Sequence, residues 1–128
     1  MAEPLLVDTD VLIDYLRDSP EAAAFLEAQS VPLLVSAVTV AELYAGVREG
    51  AERDRLDVFL DAFEVLVVER ATAEQGGLFR RDYGKSHGTG LADALIAAQA
   101  VAQGATLVTL NRKHFPMLRA VWVPYQKS

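Results

Sequence analysis

Leu5-Leu6-Val7-Asp8-Thr9-Asp10-Val11-Leu12-Ile13-Asp14 is the stretch that decides the fold. Three apolar residues run directly into an acid, a threonine and a second acid. Val11, Leu12, Tyr15 and Leu16 then recur at helical spacing. The pattern predicts a short buried strand over Leu5 to Val7 that delivers Asp8 at its carboxyl end, with Thr9 or Asp10 capping the helix that follows. In open α/β sheets, ligands bind at the carboxyl ends of the strands. Asp8 is therefore placed for chemistry, whereas Asp14 is expected to face solvent.

Outward from this stretch the chain alternates. Ser19-Pro20 restarts a helix over about Glu21 to Gln29, with serine as cap and proline at the first helical position. Leu33 to Val35 is a second short strand, and Thr39-Val40-Ala41-Glu42 opens a helix that stops near Gly50. A fourth helix covers about Ala51 to Phe63, and Val65 to Val68 reads as a buried, β-branched strand. Ala71 to Tyr83 reads as a helix despite Gly76-Gly77, and Gly84 to Gly90 as the longest flexible loop. Leu91 to Gln103 is the strongest helix, with Leu91, Leu95, Ala98 and Ala102 on one face and Gly104 at its end. Thr106 to Thr109 and Val121 to Val123 complete the strands. This order predicts a single α/β domain over residues 1–128, a central parallel sheet of about five strands with helices on both faces.

A chain of 128 residues buries enough surface to fold without staples. It has no cysteine, which excludes disulfides and thiolate metal ligands and fits a reducing cytosol. The amino terminus carries no basic region or long apolar core, and the longest nearly uncharged run, Val31 to Ala41, is too short to cross a bilayer. A cytoplasmic protein without a membrane span is the expectation. The net charge of −6 argues against a general nucleic-acid coat, because non-specific affinity comes from phosphate neutralisation. It leaves open an enzyme with an acidic, metal-filled centre.

Three acids obey one logic. Asp8 ends the first strand, Glu42 lies just past the second, and Asp93 lies in the first turn of the strongest helix. Parallel strands would bring all three to one edge of the sheet. Close carboxylates repel, and one protonates unless a cation sits among them. Magnesium and manganese favour such oxygen ligands, and a metal so held can activate water against a phosphate ester. Structural readings compete: Thr39 and Glu42 fit a T-x-x-E capping box, and Asp93 suits a helix start. Asp8 has no such duty unless it caps the first helix.

With these residues in place, the chain resembles a PIN-domain ribonuclease, specifically a VapC-type toxin of a toxin–antitoxin pair. The resemblance rests on Val7 to Ile13, Ser36 to Leu43, Leu91 to Ala98 and Thr106 to Phe115, in that order, and it covers essentially the whole chain. It implies a Mg²⁺- or Mn²⁺-dependent endoribonuclease with Asp8, Glu42 and Asp93 as catalytic metal-site residues. Thr9 and Thr109 would add hydroxyls, with Asp10, Asn111 and Arg112 as supporting or substrate-binding residues. RNA is the implied substrate. A VapB-like antitoxin and a second copy of the chain are the implied partners.

One departure stands out. Many members of that family carry a fourth acid in or after the fourth strand, but here the segment reads Asn111-Arg112-Lys113-His114-Phe115, with no acid after Asp93. One tightly held ion, or a second that arrives with substrate, is the expectation. Arg80, Arg81, Lys85, Arg112, Lys113 and His114 could grip phosphates. His87 and His114, each without a second histidine at ligand spacing, are not expected to bind metal. Gly84-Lys85-Ser86 lacks the earlier glycine of a phosphate loop, since position 79 is Phe. Two alternatives are a catalytically silent PIN-like scaffold and a haloacid-dehalogenase-type phosphatase using Asp8-Thr9-Asp10. The second leaves Glu42 unexplained.

Overall fold

The computed structural model describes residues 3–127. Its elements run β1 (Leu5–Val7), α1 (Thr9–Leu16), α2 (Pro20–Glu27), β2 (Leu33–Ser36), α3 (Ala37–Ala45), α4 (Ala51–Leu60) and β3 (Glu64–Leu66). There follow α5 (Arg70–His87), α6 (Leu91–Gln103), β4 (Thr106–Val108), a 3-10 turn (Arg112–His114) and β5 (Val121–Trp122). The five strands form one parallel sheet in the order β3-β2-β1-β4-β5. The α/β architecture expected from the alternation is the one observed.

Successive strand residues face opposite sides of the sheet, and the two cores divide accordingly. Leu5, Val7, Val35 and Val108 pack under α1, α3 and α4 with Val11, Leu12, Leu43 and Leu56. Leu6, Leu34 and Leu107 pack on the other face with Ile96, Ala97, Ala100 and Phe115. Each fully buried leucine or valine contributes about 1.5–3 kcal/mol relative to exposure.

Strand order reverses beside β1. The chain goes from β1 outward to β2 and β3, then returns to lay β4 on the other side of β1. Such a reversal opens a crevice at the carboxyl ends of the two strands flanking it. Asp8 follows β1 and Thr109 follows β4, so both stand at that crevice, where Asp8 N donates to Val108 O at 2.8 Å.

Several local expectations are corrected. Residues 84–87 are not loop: α5 continues to His87 and ends at Gly88, whose φ of 67° terminates it in the left-handed region. Packing along α6 sustains the helix through both glycines. A Cβ on Gly76 would lie 2.6 Å from Leu95 Cδ2 and 3.1 Å from Leu95 Cα, so glycine there lets α5 and α6 approach closely. The buried face of α6 is alanine-rich, comprising Ala94, Ile96, Ala97, Ala98, Gln99 and Ala100, whereas Leu91 is exposed. The β-branched run near Val65 forms an edge strand rather than a buried one, and Val67 is 68% exposed.

Candidate active site

Asp8 caps α1 itself, the structural duty left open for it, in place of Thr9 or Asp10. Its backbone is extended, and its Oδ1 accepts the Thr9 N–H at 2.8 Å. The other oxygen, Oδ2, accepts the Thr109 hydroxyl at 2.8 Å. Asp8 is 5% exposed. Burial, and then the neighbouring charge of Asp10, push its pKa up to about 7, against the two hydrogen bonds; Asp93 adds a smaller push in the same direction.

Asp10 organises the turn after β4. Its Oδ1 accepts from Val11 N at 2.8 Å. Its Oδ2 accepts from Leu110 N at 3.0 Å and Asn111 Nδ2 at 3.2 Å, with the Thr109 hydroxyl at 3.4 Å. Burial pushes its pKa up as well. Asn111 N returns a bond to Thr109 Oγ1 at 3.1 Å. A hydroxyl has one proton to give, and Thr109 gives it over the shorter distance, to Asp8.

Glu42 is reached through Thr9. The Thr9 hydroxyl donates to Glu42 Oε1 at 2.7 Å and lies 2.9 Å from the Thr39 hydroxyl, which must then be the donor in that pair. The capping-box reading of Thr39 and Glu42 falls. Ser36 caps α3, accepting from Val38 N at 3.0 Å, because the chain turns from β2 into the helix without a loop. Thr39 is buried inside the helix, and Glu42 is exposed beside a groove lined by Ile13, Leu16, Leu43 and Leu56 with Arg17 and Arg48.

Asp93 occupies the first turn of α6, where the helix dipole favours it and its Oδ2 also accepts from Gly90 N at 3.4 Å. The same oxygen is 3.5 Å from His114 Nδ1. The three acids do share the carboxyl edge, but among the described residues no three acid or histidine side chains converge into a ready-made ligand shell. Asp8 feels the charge of Asp93, while Glu42 connects through Thr9. The donor chemistry fits a hard divalent cation: the groups are carboxylates, and Asp8 in its buried place holds either a proton or a counter-charge.

Of the basic residues, Arg112 donates to Val121 O at 3.1 Å, and Arg81 pairs with Asp82 at 2.9 Å. His87 lies at the exposed end of α5 against Ser86. Asp14, expected in solvent, is buried, because Tyr125 Oη and Lys127 Nζ donate to it at 2.9 and 2.8 Å from the far end of the chain. Burial, and then Asp14, push the tyrosine's pKa far up. Tyr15 stacks on Phe59 and Phe25 meets Trp122 edge-on, which makes them packing residues.

A parallel sheet with acids beside its switch point defines the class of α/β domain to which the chain conforms, and the chain belongs to the PIN domain family, whose pattern matches residues 5–119. It is 40% identical to ribonuclease VapC10 of Mycobacterium tuberculosis, over 94% of this chain and 92% of that one. It is 38% identical to ribonuclease VapC19 of the same organism, over 94% and 98%. Among solved structures it is similar to a toxin–antitoxin complex from Klebsiella pneumoniae, with a TM-score of 0.84 and 28% identity over 96% of this chain and 99% of that one. It is also similar to VapBC2 from Rickettsia felis bound to a promoter DNA fragment, with a TM-score of 0.75 and 26% identity over 93% and 97%.

Proposed function

We propose that this chain is a divalent-metal-dependent endoribonuclease, the toxin of a toxin–antitoxin pair. The observation that carries the reading is the placement of Asp8, Glu42 and Asp93 on the switch-point edge of a chain so similar to VapC ribonucleases. Asp8 and Asp93 would hold the ion, Mg²⁺ or Mn²⁺, with Glu42 completing the acidic set. When bound, the ion supplies a more acidic water and a counter-charge for the phosphoryl group.

The chain's own residues prepare that chemistry. Thr109 fixes one oxygen of Asp8, and Asp10 fixes the turn that carries Thr109 and Asn111. Thr9 orients Glu42. Lys113, exposed on the turn after β4, is placed to meet phosphate charge. The likeness to VapBC and other toxin–antitoxin complexes supports a VapB-like antitoxin as partner, with a second copy of this chain completing a homodimer. A cytoplasmic location belongs to the same reading.

The test is RNA cleavage by the purified chain with Mn²⁺, with EDTA, and with Asp93→Asn. Cutting that needs both the metal and Asp93 is the expected result. Cutting that survives either change, or none by the unaltered chain across transfer, ribosomal and messenger RNA, would overturn it.

A further inference from the structure

The turn after β4 carries no acid, yet it brings a histidine to the site. His114 Nδ1 lies 3.5 Å from Asp93 Oδ2. Three features hold it there. The hydroxyl of Thr89, itself buried, donates to His114 O at 2.7 Å and staples the turn to the segment entering α6. Phe115, 1% exposed, anchors the next residue in the core. The ring lies beside the Gly88 backbone, where a Cβ would stand in ordinary contact, 3.7 Å from His114 Nε2.

Among the described residues, the polar contacts of Asp93, from Gly90 N and from His114, fall on Oδ2. Oδ1 is left to carry a ligand. We infer that His114 is a positioning residue for Asp93, presenting an Nδ1–H to Oδ2 so that the carboxylate meets its ligand in one orientation. This rests on the metal-nuclease reading above. Outer partners of metal-binding carboxylates act in this way, and the distance is one that tightens when a site is loaded. The ring works here as an N–H donor through Nδ1, the nitrogen that faces the carboxylate.

Three variants separate positioning from packing. His114→Ala should weaken Mn²⁺ binding by about 10–100-fold, measured by calorimetry, and lower kcat for RNA similarly while KM holds. His114→Asn keeps a donor near the position of Nδ1 and should recover most of both. His114→Gln keeps one near Nε2 and should not. Nitrogen NMR of the metal-free chain at pH 8 should find the Nδ1–H tautomer, lost in Asp93→Ala.

An Nε2–H tautomer in the unaltered chain, an alanine variant with unchanged Mn²⁺ affinity and kcat, or equal rescue by glutamine would each overturn the inference. Should the unaltered chain neither bind Mn²⁺ nor cut RNA, the metal-nuclease reading fails. The tautomer then decides the His114–Asp93 pairing by itself.

Discussion

Thr109 donates a 2.8 Å hydrogen bond to Asp8 across 101 residues of sequence, and both side chains are buried. The bond favours the charged carboxylate against the burial that opposes it. Thr109→Val should therefore make the ionised form harder to reach, raising the pH needed for half-maximal cleavage. It should also cost about 1–3 kcal/mol of stability, from the unpaired buried oxygen. A pH–rate profile and a denaturant titration measure the two effects; an unmoved profile would count against the role given to Thr109.

Asp8 also sets a pH dependence of folding. In the folded protein its pKa is pushed up to about 7, from an ordinary 3.8. Between those values the folded chain holds a proton that the unfolded chain has lost. Stability is thus fullest at the acid end of this window and declines as pH rises through 7. Thermal unfolding without metal should occur at lower temperature at pH 8 than at pH 5, if other groups are held in common. Asp8→Asn, which can still cap α1, should remove most of that slope and abolish cleavage. Loss of activity with the slope intact would contradict the buried-acid account.

The relay from Thr39 through Thr9 to Glu42 makes its own prediction. Thr9→Val removes the acceptor of a fully buried hydroxyl and releases Glu42. A loss of about 1–3 kcal/mol is expected, with a fall in kcat. Thr9→Ser keeps the hydroxyl and should restore activity. Comparable activity in the valine and serine variants would show that Glu42 needs no such support.

Titration of the free protein with Mn²⁺ should report one strong site, since the turn after β4 brings no further acid to the edge and the sequence has none beyond Asp93. Two equally tight sites in the calorimeter would refute this.

The adjacent glycines of α5 should behave oppositely. Gly77 has nothing near the position of an added Cβ, so Gly77→Ala should stabilise by about 0.4–1 kcal/mol. Gly76→Ala drives a methyl against the Leu95 backbone and should destabilise by about 1–3 kcal/mol. Chemical denaturation of the two variants decides the matter.

What the sequence conveyed was local or periodic. β1 with its terminal acid, and α6 from Leu91 to Gln103, match because their patterns lie within a few residues. Position within the sheet is not local information, so the Val65 run looked like a buried strand although it lies at an edge. The helical state of residues 84–87 reflects a long helix held against its neighbour, which composition alone does not encode. Asp14 was misjudged because its partners are 111 and 113 residues away. The acids at the edge were legible from strand ends; the hydroxyls joining them were legible only in part. His114 was set aside as a metal ligand and read only as one of several basic residues that could meet phosphate. Its signal was its place on the turn directly after β4, beside Asn111.

The strand order has a consequence for how the molecule is made. Ribosomes deliver the amino-terminal end first, so Asp8, Glu42 and Asp93 all emerge before Thr109 and before the strand that flanks β1 on its open side. A nascent chain lacking β4 possesses every acid but has no second wall to the crevice and no hydroxyl to pair with Asp8. Completion of the centre therefore waits on nearly the last strand to be translated.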